Sequence, residues 1–506
     1  MRADSKKTEV NFLTIINKTC ENYKTNVVEN NDRVSINAIY PEEVQHMENE
    51  PKKRPWRNGR LTVSPNGRFL QHENGAPFFW LADTAWLLFV RTTLEEAREY
   101  LEDRRRKGFT VIQVMLVHSK NEHNAFGKPP FEQNDFTRPA SGTADGYWEY
   151  IDQVFNAAEE KGLYLAVVPV WGSIVKAGIL SVPAARAYGA FLARRYGSRP
   201  NVIWINGGDT HGCENTEIWD ALAESIKRND PNHLMTFHPF GRTRSAQWFH
   251  DRPWLDFNMF QSGHRRYHQI MDPLSPDGVE GSIPEEDNWR YVQADYALKP
   301  PKPTVDGEPS YEDIPQGLHD VRQPRWQASD MRRYAYWSVF SGAFGHTYGD
   351  NSVIQMLRPQ DMPGNYGADR CWREAIQDPG AGQMRHLKDL ILSVPFLDRV
   401  PAQDVLAGDS GERYDYLAAA KGTDYLFVYT YTGRAVPVRL GRIQGDIVRA
   451  FWLDPRTGRF TPIGNFTNSG VCTLIPPGKE GAGNDWVLAM CDARKSYFPF
   501  PPKGTD

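Results

Sequence analysis

Eight times between Phe78 and Asp350 the chain repeats one unit, a short apolar run followed by a stretch of helical period or a polar loop. The runs are `FFWLADTAW`, `FTVIQVMLVH`, `LYLAVVPVW`, `NVIWINGGD`, `LMTFHPFG`, `WLDFNMFQSGH`, `PTVDGEPSY` and `FGHTYGD`. Several are almost continuously apolar, as strands buried on both faces of a parallel sheet must be. Between them, `TTLEEAREYLEDRRRKG` carries a capping box, with Thr93 at the N-cap, Glu96 three residues on and Gly108 as the stop. `YWEYIDQVFNAAEEKG`, `PAARAYGAFLARRYG`, `EIWDALAESIKRND` and `ASDMRRYAYWSVFSG` continue the helical series. Eight strands alternating with helices predict an α/β fold, a (β/α)8 TIM barrel. The competing architecture, an open doubly wound sheet, would be favoured by GxGxxG after the first strand, where this chain has `ADTAW`.

The flanks obey other rules. Residues 1–55 are polar and aperiodic and read as a disordered N-terminal extension. The barrel region is taken as 56–400 and opens with a hairpin turning at Pro65-Asn66-Gly67. From 401 to 496, `YDYLAAAKGTDYLFVYTYTGRAVPVRL` and `IVRAFWLDPRTGRFTPIG` are short alternating strands broken by Gly, Asp-Pro and Thr-Gly. They predict a small all-β sandwich domain, followed by a tail over 497–506.

Charge excludes some partners. With 59 basic and 63 acidic residues the net charge is −4, and no tract is basic enough to track a phosphate backbone, so nucleic acid is not expected. No apolar run is long enough to span a membrane. Five scattered cysteines without CxxC spacing make neither a disulfide framework nor a zinc site, although Cys472 and Cys491 could face each other across a sheet. The first residues lack a signal-peptide pattern, which implies a cytoplasmic protein if the chain is complete and a secreted or periplasmic one if a leader is missing. Nothing in the sequence fixes an oligomeric state or calls for a cofactor.

Barrels of this class place chemistry at the C-terminal ends of their strands. Those ends carry Asp83 and Trp86, His118 with Asn121 and His123, Trp171, Asn206 with Asp209, His238, Gln261 with His264, Glu308, and His346 with Tyr348. Acids, amides and aromatics around one mouth suit a polyhydroxylated substrate. Asp209 and Glu308 end the fourth and seventh strands, which can face each other across an eight-strand ring. Two carboxyls flanking a bond are what glycoside hydrolysis needs: one protonates the leaving oxygen, and the other attacks or activates water. Asp209 could instead cap the helix that follows, whereas Glu308 caps poorly and precedes Pro309. Asp83, Trp86, His118, Trp171, Asn206, His238, Gln261, His346 and Tyr348 are the candidate substrate-binding residues. A metal is not expected, because the first strand lacks HxH and His118 and His123 are five residues apart on a loop.

The motifs `RFLQHENGAPFFWLADTAW`, `NVIWINGGD` and `TVDGEPSYE` resemble those of the apiosidase-like glycoside hydrolases, family 140 and its relatives, over about residues 60–495. The resemblance implies a (β/α)8 barrel with a C-terminal collagen-binding-like β-sandwich. It also implies an acid/base at Asp209, a nucleophile at Glu308, retention of anomeric configuration and a carbohydrate substrate such as apiose-linked pectic side chains. A non-catalytic carbohydrate-binding barrel and a metal-dependent hydrolase are the alternatives. The sequence leaves the sugar, its linkage and its anomer open.

Overall fold

The computed structural model describes residues 54–267, 269, 283 and 286–500. The expectations for residues 1–53 and 501–506 lie outside the described residues. Three short antiparallel strands come first, β1 (Leu61–Val63), β2 (Leu70–His72) and β3 (Pro77–Phe78), with the hairpin turn between β1 and β2. Ser64 Oγ accepts from Phe69 N–H and donates to Asn66 Oδ1, which pins that turn.

The barrel strands follow as β4 (Trp80–Thr84), β5 (Val111–Met115), β6 (Tyr164–Val168), β7 (Val202–Thr210), β8 (Met235–Pro239), β9 (Asn258–Phe260), β10 (Thr304–Asp306) and β11 (Gly345–Tyr348). All pairings among them are parallel. Six strands run in the order β11-β4-β5-β6-β7-β8, and β9 pairs with β10. Isolated bonds bridge the two seams: Asp256 N–H to Met235 O at 2.9 Å on one side, and Phe344 N–H to Thr304 O at 3.1 Å on the other. The ring thereby closes. The covering helices are α1 (Leu94–Arg106), α2 (Tyr147–Glu160), α3 (Val182–Tyr196), α4 (Thr216–Asn229), α5 (Asn288–Tyr296), α6 (Ala328–Phe340) and α7 (Pro379–Leu392). The capping box at Thr93 and Glu96 forms as expected.

The pleat sorts each strand into two faces. Val111, Met115, Ala166, Val168, Ile203, Ile205, Met259 and Val305 share the cluster that fills the barrel interior. The intervening Ile112, Val114, Leu165, Val167, Trp204 and Phe237 pack outward under the helices. Fully burying such side chains contributes about 1.5–3 kcal/mol each. Both faces are therefore apolar.

Beyond Val400 the chain is antiparallel. A six-stranded sheet and a two-stranded sheet enclose a separate apolar cluster that includes Leu426, Val428, Val436, Val448 and Leu488. The large sheet also packs against α6. The Tyr336 ring stacks on Tyr429 with centroids 4.8 Å apart, Phe340 stacks on Phe427, and Arg332 forms a buried two-pronged pair with Asp485 at 2.7 and 2.8 Å. Cys472 and Cys491 do not face each other; they lie in different sheets and both are free thiols. Among the described residues no helix is long and apolar enough to cross a membrane.

Candidate active site

Strand β7 answers why glycines surround its terminal acid. Gly207 pairs with His238 and Thr210 with Pro239, so Gly208 and Asp209 bulge out between successive rungs of the ladder. All three of Gly207, Gly208 and Asp209 have positive φ, at 90°, 111° and 43°. A Cβ on Gly207 would stand 2.4 Å from the His238 carbonyl oxygen, and one on Gly208 would stand 2.5 Å from the Trp171 ring. Glycine is required at both positions. Asp209 itself holds a left-handed conformation unusual for a side-chain-bearing residue, which places it among the strained backbones that cluster at functional sites. Lys176 secures it by donating to the Asp209 carbonyl at 2.7 Å. Asp209 is not a helix cap: α4 begins only at Thr216, after Asn215.

Glu308 stands two residues beyond β10, in a cavity of about 260 Å³ that it shares with Asp209. One oxygen of each carboxyl lies within 4.8 Å of the other and of a His238 nitrogen. Two imidazoles hold Glu308. His264 Nε2 is 2.9 Å from Oε1 and His238 Nε2 is 3.0 Å from Oε2. The His264 contact is a hydrogen bond and the His238 contact an ion-pair approach without hydrogen-bond alignment; together they outweigh burial and bring the Glu308 carboxyl below the usual range, so it is ionised at neutral pH. Asp209 moves the other way. Burial, then the negative charge of Glu308, push its carboxyl up to about 6, against smaller opposing effects from His238 and a Gln261 hydrogen bond. One acid is kept charged, and its neighbour holds its proton up to about pH 6. His238, Asp209 and Glu308 are also of metal-ligating types, with one such atom of each within 4.8 Å of the others.

Trp86, Trp171, Gln261 and His118 line the same cavity. Trp86 and Trp171 form one corner with ring centroids 5.2 Å apart, and His238 wedges against both at 5.5 and 5.6 Å. The His238 side chain thus contacts Glu308 and the two indoles, behind the cavity surface. His118 lies on the rim near Glu122, whose carboxylate accepts from the backbone N–H groups of His118 and Ser119.

Four candidates stand elsewhere. Asp83 is fully buried, 2.5 Å from Arg104 Nε, and it accepts from the Tyr100 hydroxyl, both on α1. Asn206 donates to the Trp219 carbonyl on α4. Tyr348 donates to Glu312 Oε2 at 2.6 Å. His346 is fully buried, and burial lowers its pKa to about 3, so it is neutral. The cause is common to all four: they occupy outward positions of the pleat, beneath the helices, one residue out of phase with the mouth. Conversely, the cavity includes Tyr311, Ile314, Leu318, Gln355, Asn365 and Tyr366, which the strand ends do not predict. Tyr311, three residues past Glu308, was within reach of the motif. The others come from loops without a periodic signal. His264 ends the sixth apolar run yet is not among the residues expected to bind substrate.

The model of the family described as "Apiosidase-like, catalytic domain" matches residues 64–398. The chain belongs to the apiosidase-like family. A second model, described as "Putative collagen-binding domain of a collagenase", matches residues 400–491. A solved structure described as a glycoside hydrolase is 48% identical, with a TM-score of 0.82, covering 88% of this chain and 99% of that one. Another, described as a glycoside hydrolase family 5 protein from Bacteroides vulgatus, is 46% identical, with a TM-score of 0.83, covering 88% and 96%. No curated protein matches. This apiosidase-like chain is therefore similar, over nearly the full length of both structures, to glycoside hydrolases.

Proposed function

We propose that the protein is a retaining glycoside hydrolase in which Glu308 is the nucleophile and Asp209 the general acid/base. One observation carries the reading: a carboxylate held ionised by two histidines lies within 4.8 Å of a carboxyl that burial and that charge keep protonated up to about pH 6. Retaining enzymes need close carboxyls, about 5–5.5 Å apart, whereas inverting ones stand about 6.5–9.5 Å apart to admit a water. In the first step Glu308 attacks the anomeric carbon, the glycosidic bond breaks and the Asp209 proton passes to the leaving oxygen. In the second, Asp209 takes a proton from water as that water attacks the same carbon, which releases Glu308. Once Glu308 is an ester its charge is gone, so the effect that raised Asp209 weakens just when a base is required.

The cavity suits one sugar ring against the Trp86–Trp171 corner, with Gln261 and the Glu308 neighbourhood as hydrogen-bonding groups. As substrate we propose a plant-type oligo- or polysaccharide, with apiose-linked pectic side chains as the specific form that family membership suggests. The test is a panel of aryl glycosides and pectic oligosaccharides, followed by NMR of the first-formed anomer. Glu308→Gln is expected to abolish turnover, since an amide is a far poorer nucleophile. Asp209→Ala should lose much less activity on substrates with good leaving groups, and azide should restore turnover. An inverted first product, or an active Glu308→Gln enzyme, overturns the assignment.

A further inference from the structure

Glu308 sits in a socket that the acid/base scheme does not itself require. His264 is one half. Its backbone is left-handed at φ 75°, an unusual conformation for a side-chain-bearing residue. Three contacts hold it there: His264 N–H donates to Ser310 Oγ at 2.9 Å, Gly317 N–H donates to the His264 carbonyl at 2.7 Å, and the ring packs edge-on to Tyr311 at 4.9 Å. Two of the residues that hold His264, Ser310 and Tyr311, belong to the segment that carries Glu308. Carboxylate and imidazole are thus placed by one loop.

His238 is the other half, and its protonation follows from its partners. Nδ1 lies 3.1 Å from the Pro239 carbonyl, which can only accept. Nε2 lies 3.0 Å from Glu308 Oε2, which is also an acceptor when ionised. A neutral ring has one N–H, so it would aim a lone pair at one of the two oxygens. With two protons, Nδ1 donates to Pro239 and Nε2 brings positive charge to within 3.0 Å of Glu308 Oε2, an ion-pair contact rather than an aligned hydrogen bond. His264 differs: only its Nε2 faces Glu308, and its Nδ1 has no hydrogen-bond partner among the described residues.

We infer that His238 and His264 are positioning residues that clamp the two oxygens of Glu308, and that His238 does so as an imidazolium whose counter-ion is Glu308. The charged and titratable groups around His238 are Glu308, Asp209 and His264; the remaining faces are the Trp86 and Trp171 rings and the Pro239 carbonyl. The clamp fixes which oxygen faces the sugar and keeps the nucleophile ionised in acid. It rests on the proposed role of Glu308 for its function but not for its existence, and the test separates the two.

The test titrates the histidines of the 15N-histidine-labelled full chain by long-range 1H–15N correlation, with His238 assigned by its absence in His238→Gln. The expected result is a doubly protonated His238 at neutral pH, whose midpoint falls by about one pH unit or more in Glu308→Gln, because an opposite charge at this range shifts a pKa by about 1–3. A neutral His238, or a midpoint unmoved by Glu308→Gln, overturns the inference whatever the enzyme cleaves. In kinetics on a substrate from the panel, His238→Gln and His264→Gln should move the acidic limb of kcat/KM upward and lower kcat by at least tenfold. KM should change little. Unmoved acidic limbs in both variants would refute the clamp. An active Glu308→Gln enzyme whose His238 midpoint still falls would refute the nucleophile and leave the ion pair standing.

Discussion

Asp209 has to donate a proton and then accept one, and its surroundings set the pH range in which it can do so. Below the Glu308 pKa the nucleophile is neutral and inactive. Above the Asp209 pKa, raised to about 6, the acid has already lost its proton. The profile of kcat/KM is therefore expected to be bell-shaped and displaced to the acid side, falling about tenfold per pH unit beyond about pH 6 on substrates with poor leaving groups. Activated aryl glycosides need little protonation, so their basic limb should be shallower. A profile flat from pH 5 to 8 on an unactivated glycoside would contradict this assignment. The glycines beside Asp209 make a second prediction at this scale. Gly208→Ala puts a methyl against the Trp171 ring at a φ that L-residues avoid, so the ring or the carboxyl must move. A displacement near 1 Å can cost about a hundredfold in rate. We expect kcat/KM to fall about ten- to a hundredfold in a protein that still folds, read by circular dichroism beside kinetics.

At the level of the strand, what is legible in a sequence depends on whether its two faces differ. Eight apolar runs gave eight strands in order, and the two acids on the fourth and seventh strands do meet at the mouth. Phase was not legible. In a strand such as Trp80–Thr84 both faces are buried, so the alternation that marks inside from outside on a half-exposed strand is erased. Asp83, Asn206, His346 and Tyr348 consequently read as mouth residues when they point to the helices. Loop residues such as Tyr366 and Leu318 had no period to betray them. Asp83 offers the test of this distinction. It is the fully buried partner of Arg104, and Asp83→Asn would leave that guanidinium only Asp103, 3.0 Å away at the edge of the core; breaking a buried pair costs about 3–5 kcal/mol, and the remaining partner should reduce the loss. Denaturant unfolding should show the loss, while KM of the surviving folded enzyme stays near the parent value. A raised KM with unchanged stability would return Asp83 to the binding site.

Across the whole molecule the two architectures meet on α6, which is buried along its length. One face lies against the barrel and the other presents Arg332, Tyr336 and Phe340 to the antiparallel sheet. Ending the chain at Val400 would expose two aromatic rings and strand Arg332 without Asp485. We expect the truncated protein to be insoluble or to unfold well below the parent, and Asp485→Ala alone to lower the melting temperature without altering KM. A soluble, active barrel ending at Val400 would show that the contact is incidental. The clasp also bears on descent. A helix finished on both sides cannot be released from one partner by a single substitution, so the barrel and its sheet should pass between lineages as one heritable unit. Where a relative does carry the barrel alone, the positions of Arg332, Tyr336 and Phe340 should have turned polar together, a joint change that an alignment of such relatives would display.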